Sequence, residues 1–553
     1  MSDNVSALSG RKGLDRNLFE ELVKEGKKNG TPEPEVLRQI AKDFLIGDSI
    51  TYGASTFYDF LKPENKQIKA YICNGSVCML AGTQENLKTK LLEHLGEEEI
   101  GHMCCLGRCH ENGSFYYRGE NYSGKSDSEI DEIMQGSAGK NKDQYFVGTN
   151  MAEPILTAPF PDLQEFYAPL IKVFSRDPEK LLQEIKDSEV RGRGGAGFKM
   201  SFKLESCKNT PADQKFIVCN ADEGDPGAYS DRYLMEERPH LVLFGMMVNG
   251  FITGASRGVL YIRGEYPESV SAVNLAIAEL EELGLLGDNI KGSGFDFRFK
   301  VIEGAGAYVC GEETALLSSI EGQPPHVRVR PPYPTQEGLF NKPTVVNNVE
   351  TLACIPYIIN NSGKVYAGIG TGKSSGSKLV CLDSFFNRPG MYEVAMGTTL
   401  KEVVNELGQG FKQPIKALHI GGPLGGIVPV HKIPDLTLDF ESFAENGFLL
   451  GHAGVVSIPE NFPMIKYLEH LFEFTAAESC GKCVPCSIGS VRGMEMLVKA
   501  QHEDYQIDRK LMDDLLETLE VGSLCALGGG LPLGIKNALQ YFENELKPYF
   551  IKN

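Results

Sequence analysis

Three cysteines at two-residue gaps, Cys480-Gly-Lys-Cys483-Val-Pro-Cys486, constrain this chain more than any other feature, and a fourth, Cys525, stands far downstream. Three thiolates so spaced wrap one side of a cube-shaped cluster, and a distant fourth closes the shell, which is the spacing logic of a four-iron, four-sulfur (4Fe-4S) site. Zinc competes, but its knuckles usually come as two separate C-x-x-C pairs rather than a run of three. A second set lies near the N-terminus, in Cys73-Asn-Gly-Ser-Val-Cys78 and Cys105-Leu-Gly-Arg-Cys109. Two pairs, each on a loop after a strand, suit a two-iron, two-sulfur (2Fe-2S) cluster with one iron per pair, and zinc stays open on spacing alone. Gly107 lets backbone N–H groups face the sulfides, and Cys104 is an odd neighbour that could replace Cys105.

These clusters take eight of the chain's fourteen cysteines. A disulfide framework is not expected in a large cytoplasmic protein, where thiols are kept reduced. The cytoplasmic expectation rests on the opening MSDNVSALSGRKG, which has no apolar signal core. The longest apolar stretch, Leu241 to Ile252, is interrupted by Gly245, Asn249 and Gly250, short of the roughly 18 residues a membrane span needs. Asp and Glu number 74 against 55 Lys and Arg, for a formal charge of −19. Such a chain repels phosphate backbones, which argues against a nucleic-acid partner.

At 553 residues the chain exceeds one hydrophobic core, so several domains follow. Residues 1–65 read as a helical segment, with Leu18, Leu22, Leu37, Ile40, Phe44 and Leu45 at helical spacing and a helix start at Thr31-Pro32-Glu33-Pro34. Residues 66–142 read as a small α/β unit ending in a polar linker, with a strand at Ile68–Ile72, a helix at Thr83–Leu95 and a return at Met103. Residues 150–365 alternate apolar strands (Phe216–Cys219, Val259–Ile262, Phe297–Ile302) with helices such as Ser269–Leu283, an α/β domain. Residues 375–455 read as a small α+β module with a strand at Lys378–Cys381 and a helix at Thr399–Glu406. From 459 to 553 the pattern is a helical bundle, one face carrying Met464, Ile465, Leu468, Leu471 and Phe472, another Leu511, Leu515, Leu516 and Leu519.

Gly192-Arg193-Gly194-Gly195-Ala196-Gly197-Phe198 matches G-x-G-x-x-G. Bare backbone can approach a phosphate closely, and a following helix N-terminus favours its charge. A helix, not a strand, precedes the motif, which disfavours an ordinary dinucleotide fold, while Arg193 and Lys203 supply positive charge. Asn220-Ala-Asp222-Glu223-Gly-Asp225-Pro-Gly227 follows a strand, the usual place for ligand loops in α/β sheets. Gly306-Ala-Tyr308-Val-Cys-Gly311-Glu312-Glu313-Thr314 also follows a strand and opens a helix. Turn chemistry explains Asp and Gly in one such segment, but not two segments in one domain. Arg328, Arg330, Tyr333 and Asn347-Asn348-Val-Glu-Thr351 add bonding groups without an obvious packing role. His240, His326, His419 and His452 read as packed or exposed, and Cys207, Cys219, Cys310, Cys354 and Cys381 as core residues.

GRGGAGF at 192–198, NADEGDPG at 220–227, GAYVCGEETAL at 306–316, TVVNNVETL at 344–352 and ESCGKCVPC at 478–486 together resemble the flavin-containing NADH-binding subunit of respiratory complex I. Residues from about 15 to 135 resemble that enzyme's small two-iron subunit, through Thr56-Phe57-Tyr58 and the N-terminal cysteines. The two are fused here, as in diaphorase subunits of soluble NAD-dependent hydrogenases and formate dehydrogenases. The resemblance implies a multidomain α/β protein with a helical N-terminal segment, a thioredoxin-like 2Fe-2S domain, a Rossmann-like FMN/NADH domain, a ubiquitin-like (SLBB) domain and a C-terminal 4Fe-4S bundle. It implies that Gly192, Arg193, Gly194, Lys203, Asn220, Asp222, Glu223, Gly311, Glu312, Asn347, Asn348 and Thr351 hold FMN. Gly195, Ala196, Phe198, Glu313, Arg330 and Tyr333 would place the nicotinamide nucleotide, and Asp225 stands where the complex I pattern N-A-D-E-S-E-P-G has a nucleotide-contacting glutamate. Cys73, Cys78, Cys105 and Cys109 would ligate the 2Fe-2S cluster, and Cys480, Cys483, Cys486 and Cys525 the 4Fe-4S cluster. The flavin performs hydride transfer, so no side chain is expected to be catalytic. The expected partners are NAD or NADP, an iron–sulfur electron-transfer subunit and a catalytic hydrogenase or dehydrogenase subunit in a hetero-oligomer. A complex I peripheral arm or an electron-bifurcating NADH:ferredoxin module is the alternative. Lys199-Met200-Ser201 and Leu204 depart from the family pattern, and Lys199 bears on the choice between NAD and NADP.

Overall fold

The computed structural model describes residues 13–137 and 143–551. The first twelve residues and the linker stretch 138–142 lie outside the described part. At the centre is a four-stranded parallel sheet in the order Arg298–Glu303, Arg257–Ile262, Phe216–Ala221, Thr344–Asn348. Its two inner strands, Arg257–Ile262 and Phe216–Ala221, are largely apolar and buried because both faces are covered. Ile217, Cys219 and Leu260 point into the main core with the helix Pro239–Thr253. That helix lies close to the helix Val349–Ala353, since a Cβ on Gly245 would sit 2.1 Å from the Leu352 carbonyl oxygen.

The opposite face is covered by the N-terminal helices. Phe216, Val218, Val259, Tyr261 and Ile302 pack there with Leu18, Phe19, Leu22, Phe44 and Tyr58. Tyr58 and Tyr261 both reach Ser319 Oγ, at 2.8 and 2.9 Å. The helical segment read at 1–65 therefore shares its core with the sheet that follows 150 residues later. Its helices Leu18–Asn29 and Pro34–Asp43 start at an Asn17 cap and at a proline in the first turn.

A second sheet, ordered Ile100–Met103, Ala70–Cys73, Phe115–Tyr117, Glu120–Tyr122, carries the N-terminal cysteines. The helix expected over Thr83–Leu95 is confined to Gln84–Leu91. The third sheet is six-stranded and mixed, with Gly390–Ala395 near one edge. Its edge strand, Phe146–Thr149, comes from the stretch between the linker and the nucleotide domain, a strand that sequence reading missed. Buried Glu393 holds the chain just beyond it, accepting the N–H groups of Ile155, Leu156 and Thr157 at 2.8–3.0 Å. The expected helix at Thr399–Glu406 runs as Leu400–Glu402 and then widens over Val403–Leu407.

Four helices, Met464–Ala477, Val484–His502, Arg509–Gly522 and Ala526–Tyr541, close the molecule. In the third, Met512, Leu516 and Leu519 are buried while Leu511 is exposed, so the apolar stripe is turned one residue from the expected face. Gly530 and Gly534 let the last helix lie against Leu424 and Gly425 of the mixed sheet module. Among the described residues no helix is long and apolar enough to cross a membrane. The result is a multidomain α/β protein.

Candidate functional site

A cleft of about 520 Å³ opens at the C-terminal ends of the parallel strands, where ligands bind in open α/β sheets. One wall is the turn Arg193, Gly194, Gly195, Ala196, which leads into the helix Met200–Asn209. Gly194 approaches Asn348 so closely that a Cβ would sit 2.9 Å from the Asn348 Cβ. A Cβ on Gly195, whose φ is +151°, would meet nothing within 4 Å. Thr351 Oγ1 fixes the turn by accepting the Arg193 N–H at 2.8 Å. The Arg193 guanidinium is buried behind the turn, donating to Ser375 O at 2.5 Å and to Tyr366 Oη at 3.1 Å. Its Nε and Nη1 are buried without a partner among the described residues.

Asn220, Asp222, Glu223, Asp225, Gly311, Glu312 and Asn348 line the same cleft. Asn220 Nδ2 donates to Gly311 O at 2.8 Å, tying two of the loops together. Glu312 caps its helix, accepting the N–H groups of Thr314 and Ala315 at 2.9 Å. Glu223 caps the helix Ser230–Glu237 from a distance, accepting from Asp231 N at 2.9 Å and Arg232 N at 3.1 Å. Asp225 accepts from Tyr308 Oη at 2.6 Å and lies 3.2 Å from His452 Nε2. His452, read from sequence as packed or exposed, is a cleft residue. Burial holds the Asp222 carboxyl well above the usual carboxylate range, and Arg263 opposes the shift.

The other expected nucleotide residues lie outside this lining. Lys203 donates to Glu313 Oε2 and to Val346 O, each at 3.0 Å. Arg330 pairs with Glu312 and stands 3.5 Å from Glu313. Lys203, Glu313, Arg330 and Glu312 thus form a charged chain running outward from the cleft. Phe198 and Tyr333 are exposed aromatic surfaces, at 51% and 54%.

The residues fit a flavin mononucleotide by their unused bonding capacity. Asp222 Oδ2 and Asn347 Nδ2 are buried without partners among the described residues, and buried polar atoms are normally bonded. Two free polar atoms, one in the cleft and one next to its lining residue Asn348, beside the side-chain-free backbone of Gly194 and Gly195, suit a polyhydroxy chain with a phosphate.

The last helices complete the cleft, because Cys525, Ala526 and Leu527 line it. Cys480, Cys483, Cys486 and Cys525 pack around Val309, Phe474 and Leu527. Ser479 Oγ lies 3.3 Å from Cys486 Sγ. The N-terminal cysteines also converge: Cys73 is within bonding reach of Cys78 and Cys105, and Cys105 Sγ is 3.3 Å from Cys109 Sγ. Gly107 N–H points at Cys105 Sγ at 3.4 Å. Gly227, from the Asp222–Asp225 loop, donates its N–H to Cys109 Sγ at 3.2 Å. Cys104 is turned away from the other thiols, toward Gly224 O at 3.5 Å and a separate cavity of about 430 Å³. Cys207, Cys219, Cys310, Cys354 and Cys381 are buried singly, as expected of core cysteines.

Residues 185–357 match the family model of the Nuo51 FMN-binding domain, and residues 466–549 that of the NADH-ubiquinone oxidoreductase-F iron-sulfur binding region. The chain is 42% identical over 388 residues to the NADP-reducing hydrogenase subunit HndC of Solidesulfovibrio fructosivorans, covering 69% of this chain and 78% of that one. It is 38% identical over 377 residues to the F-type subunit of Escherichia coli NADH-quinone oxidoreductase, covering 67% and 84%. The chain belongs to the NADH-quinone oxidoreductase-F family. As a member it is a flavin-dependent NADH oxidoreductase with an FMN-binding domain and a 4Fe-4S region. The fold is also similar to a solved NAD+-reducing [NiFe]-hydrogenase in its H2-reduced state, with TM-score 0.84 and 26% identity. That likeness spans 97% of this chain and 94% of the other, against the 67% of this chain that the Escherichia coli relative matches.

Proposed function

We propose that this oxidoreductase-F relative is the diaphorase subunit of a soluble hydrogenase or formate dehydrogenase complex, passing electrons between NAD(P)H and an iron–sulfur partner. The observation that carries it is one cleft bounded by the glycine turn, the Asp222–Asp225 loop and Cys525. A hydride brings two electrons at once and a cluster carries one at a time, and bound FMN supplies the chemistry that joins them. Gly194, Gly195 and Ala196 would face its phosphate side, while Asp222 and Asn347 offer free bonds to its hydroxyls. The charged chain Glu312, Arg330, Glu313, Lys203, with exposed Phe198 and Tyr333, would receive the nicotinamide nucleotide.

The 4Fe-4S cysteines are the outlet. Cys480, Cys483 and Cys525 are partly exposed, whereas Cys73, Cys78, Cys105 and Cys109 are all buried. The N-terminal cysteines would hold a 2Fe-2S cluster reached from inside the molecule, a side branch beside the flavin. We read residues 66–142 as a thioredoxin-like domain, 150–365 as the Rossmann-like nucleotide domain with 1–65 packed on it, 375–455 as the ubiquitin-like module and 459–553 as the cluster bundle. The full-length likeness to an NAD+-reducing hydrogenase favours the soluble complex over a complex I peripheral arm. Anaerobic purification with mass spectrometry of co-purifying subunits tests the reading. It expects FMN, about six irons per chain, NADH-driven dye reduction and a hydrogenase or dehydrogenase partner. Absence of flavin, or proton-pump subunits in the complex, overturns it.

A further inference from the structure

Three carboxylates, Glu223, Asp231 and Glu350, line the flavin cleft within electrostatic reach of one another. Two of them are well supplied with donors. Glu223 accepts two backbone N–H groups and the Ser230 hydroxyl. Glu350 accepts the Leu379 N–H at 2.9 Å and is paired with the fully buried ammonium of Lys378. Asp231 has neither. Its Oδ2 accepts only the neutral Asn348 amide, at 2.6 Å, and its Oδ1 makes no hydrogen bond among the described residues.

Lys378 is the ammonium within electrostatic reach of Asp231, and its ion pair is with Glu350. Arg232, next along the helix, is engaged by Asp143. Cys219 faces Asp231 from the sheet with a neutral thiol. His452 is engaged by Asp225, at 3.2 Å. Where carboxylates crowd together, a proton settles best on the one with the fewest donors, which here is Asp231. Asp222, also held up by burial, differs in facing Arg263, and its Oδ2 is free for a bound hydroxyl.

We propose, resting on the flavin reading above, that Asp231 is a neutral carboxylic acid in the oxidised protein and exchanges that proton with the flavin ring. Hydride arrival breaks the nicotinamide C–H bond and moves both its electrons to the ring, which then lacks one proton of the neutral dihydroflavin. The Asp231 O–H bond breaks, an N–H bond forms on the ring, and Asp231 is left as carboxylate. When the two electrons leave through the Cys525 cluster, two protons leave the ring, one restoring Asp231 and one reaching solvent. The sum is nicotinamide oxidised, two electrons delivered and one proton released. Burial, reinforced by Glu223 and Glu350, holds Asp231 well above the usual carboxylate range, the direction this role needs.

Reduction-induced infrared difference spectra of the purified complex, in water and in D2O, test the role. The expected result is a protonated-carboxyl C=O band that is lost on NADH addition, shifts in D2O, vanishes in Asp231→Asn and returns displaced in Asp231→Glu. A band untouched by both substitutions, or no such band, overturns the proposal. If Asp231→Asn loses its flavin, the Asp231→Glu displacement decides alone. FMN content and bleaching of the wild type on the same samples test the underlying reading separately: wild type without flavin overturns both, whereas flavin bleached by NADH without the band overturns Asp231 only.

Discussion

Replacing Gly107 by alanine tests whether the N-terminal cysteine loop is built around a cluster. Gly107 has φ +66°, and an added Cβ would sit 2.2 Å from Tyr266 Oη and 2.7 Å from two ring carbons. Tyr266 is fully buried, with its hydroxyl 3.4 Å from the Glu223 carbonyl oxygen, so the ring has nowhere to turn. A side chain in the left-handed region costs about 1–2 kcal/mol, and overpacking a filled interior about 1–3 kcal/mol. The combined cost of about 2–5 kcal/mol is large beside the ~5–15 kcal/mol that holds a native protein together. It falls on the loop whose Gly107 N–H meets Cys105 Sγ. We expect Gly107→Ala to lose the two-iron electron paramagnetic resonance signal while the four-iron signal persists. Iron should fall from about six to about four per chain. Tyr266→Val makes room, so Gly107→Ala/Tyr266→Val should recover part of the loss, with a coupling of about 0.5–3 kcal/mol. A single Gly107→Ala variant with full two-iron signal and unchanged melting would refute the reasoning.

Cys525→Ala should abolish the four-iron signal and electron delivery to the partner while leaving the two-iron signal, as read by iron analysis and paramagnetic resonance. Lys378→Met leaves the buried Glu350 carboxylate without its cation and should destabilise by about 3–5 kcal/mol. Thermal unfolding should show Lys378→Met/Glu350→Leu losing much less than the single variant. Burial pushes His419 and His470 down to about 4, below the value of about 6.5 for an exposed histidine. Both are neutral in the folded protein, so stability is full above that exposed value and falls as pH drops toward about 4, by up to about 3 kcal/mol for each. Melting temperature against pH should show this acid slope, and His419→Gln should flatten it.

Much of the site was legible because its chemistry is local in sequence. Cys480, Cys483 and Cys486 are three residues apart, and the turn at 193–196 needs bare backbone that only glycine and alanine give. The Asp222–Asp225 loop and the Glu312 cap each follow a strand, a short-range pattern. What escaped depends on distant partners. Asp231 reads as an ordinary helix residue until Glu223 and Glu350 close around it from other segments. Arg193 reads as positive charge beside the glycines, and nothing local in sequence says that Tyr366 and Ser375 hold its Nη2. Phe146–Thr149 is too short to announce itself as a strand, and it forms by pairing with Gly390–Ala395 far along the chain. The N-terminal helices show their amphipathic faces in the sequence, but nothing there says that the sheet around Val218 is what they cover. Register within helices was also limited, as Leu511 shows: Met512 fills the interior equally well, and packing chose between them.

The account stands on one cleft serving both a flavin and the Cys525 cluster. Anaerobic titration of the purified complex with NADH, followed together by flavin absorbance and paramagnetic resonance, tests it most directly. The expected result is bleaching of the flavin with growth of the reduced four-iron signal at the same nucleotide equivalents; in a Cys525→Ala protein the bleaching persists and the four-iron signal is lost. A flavin bleached by NADH beside a four-iron cluster that only dithionite can reduce would contradict it.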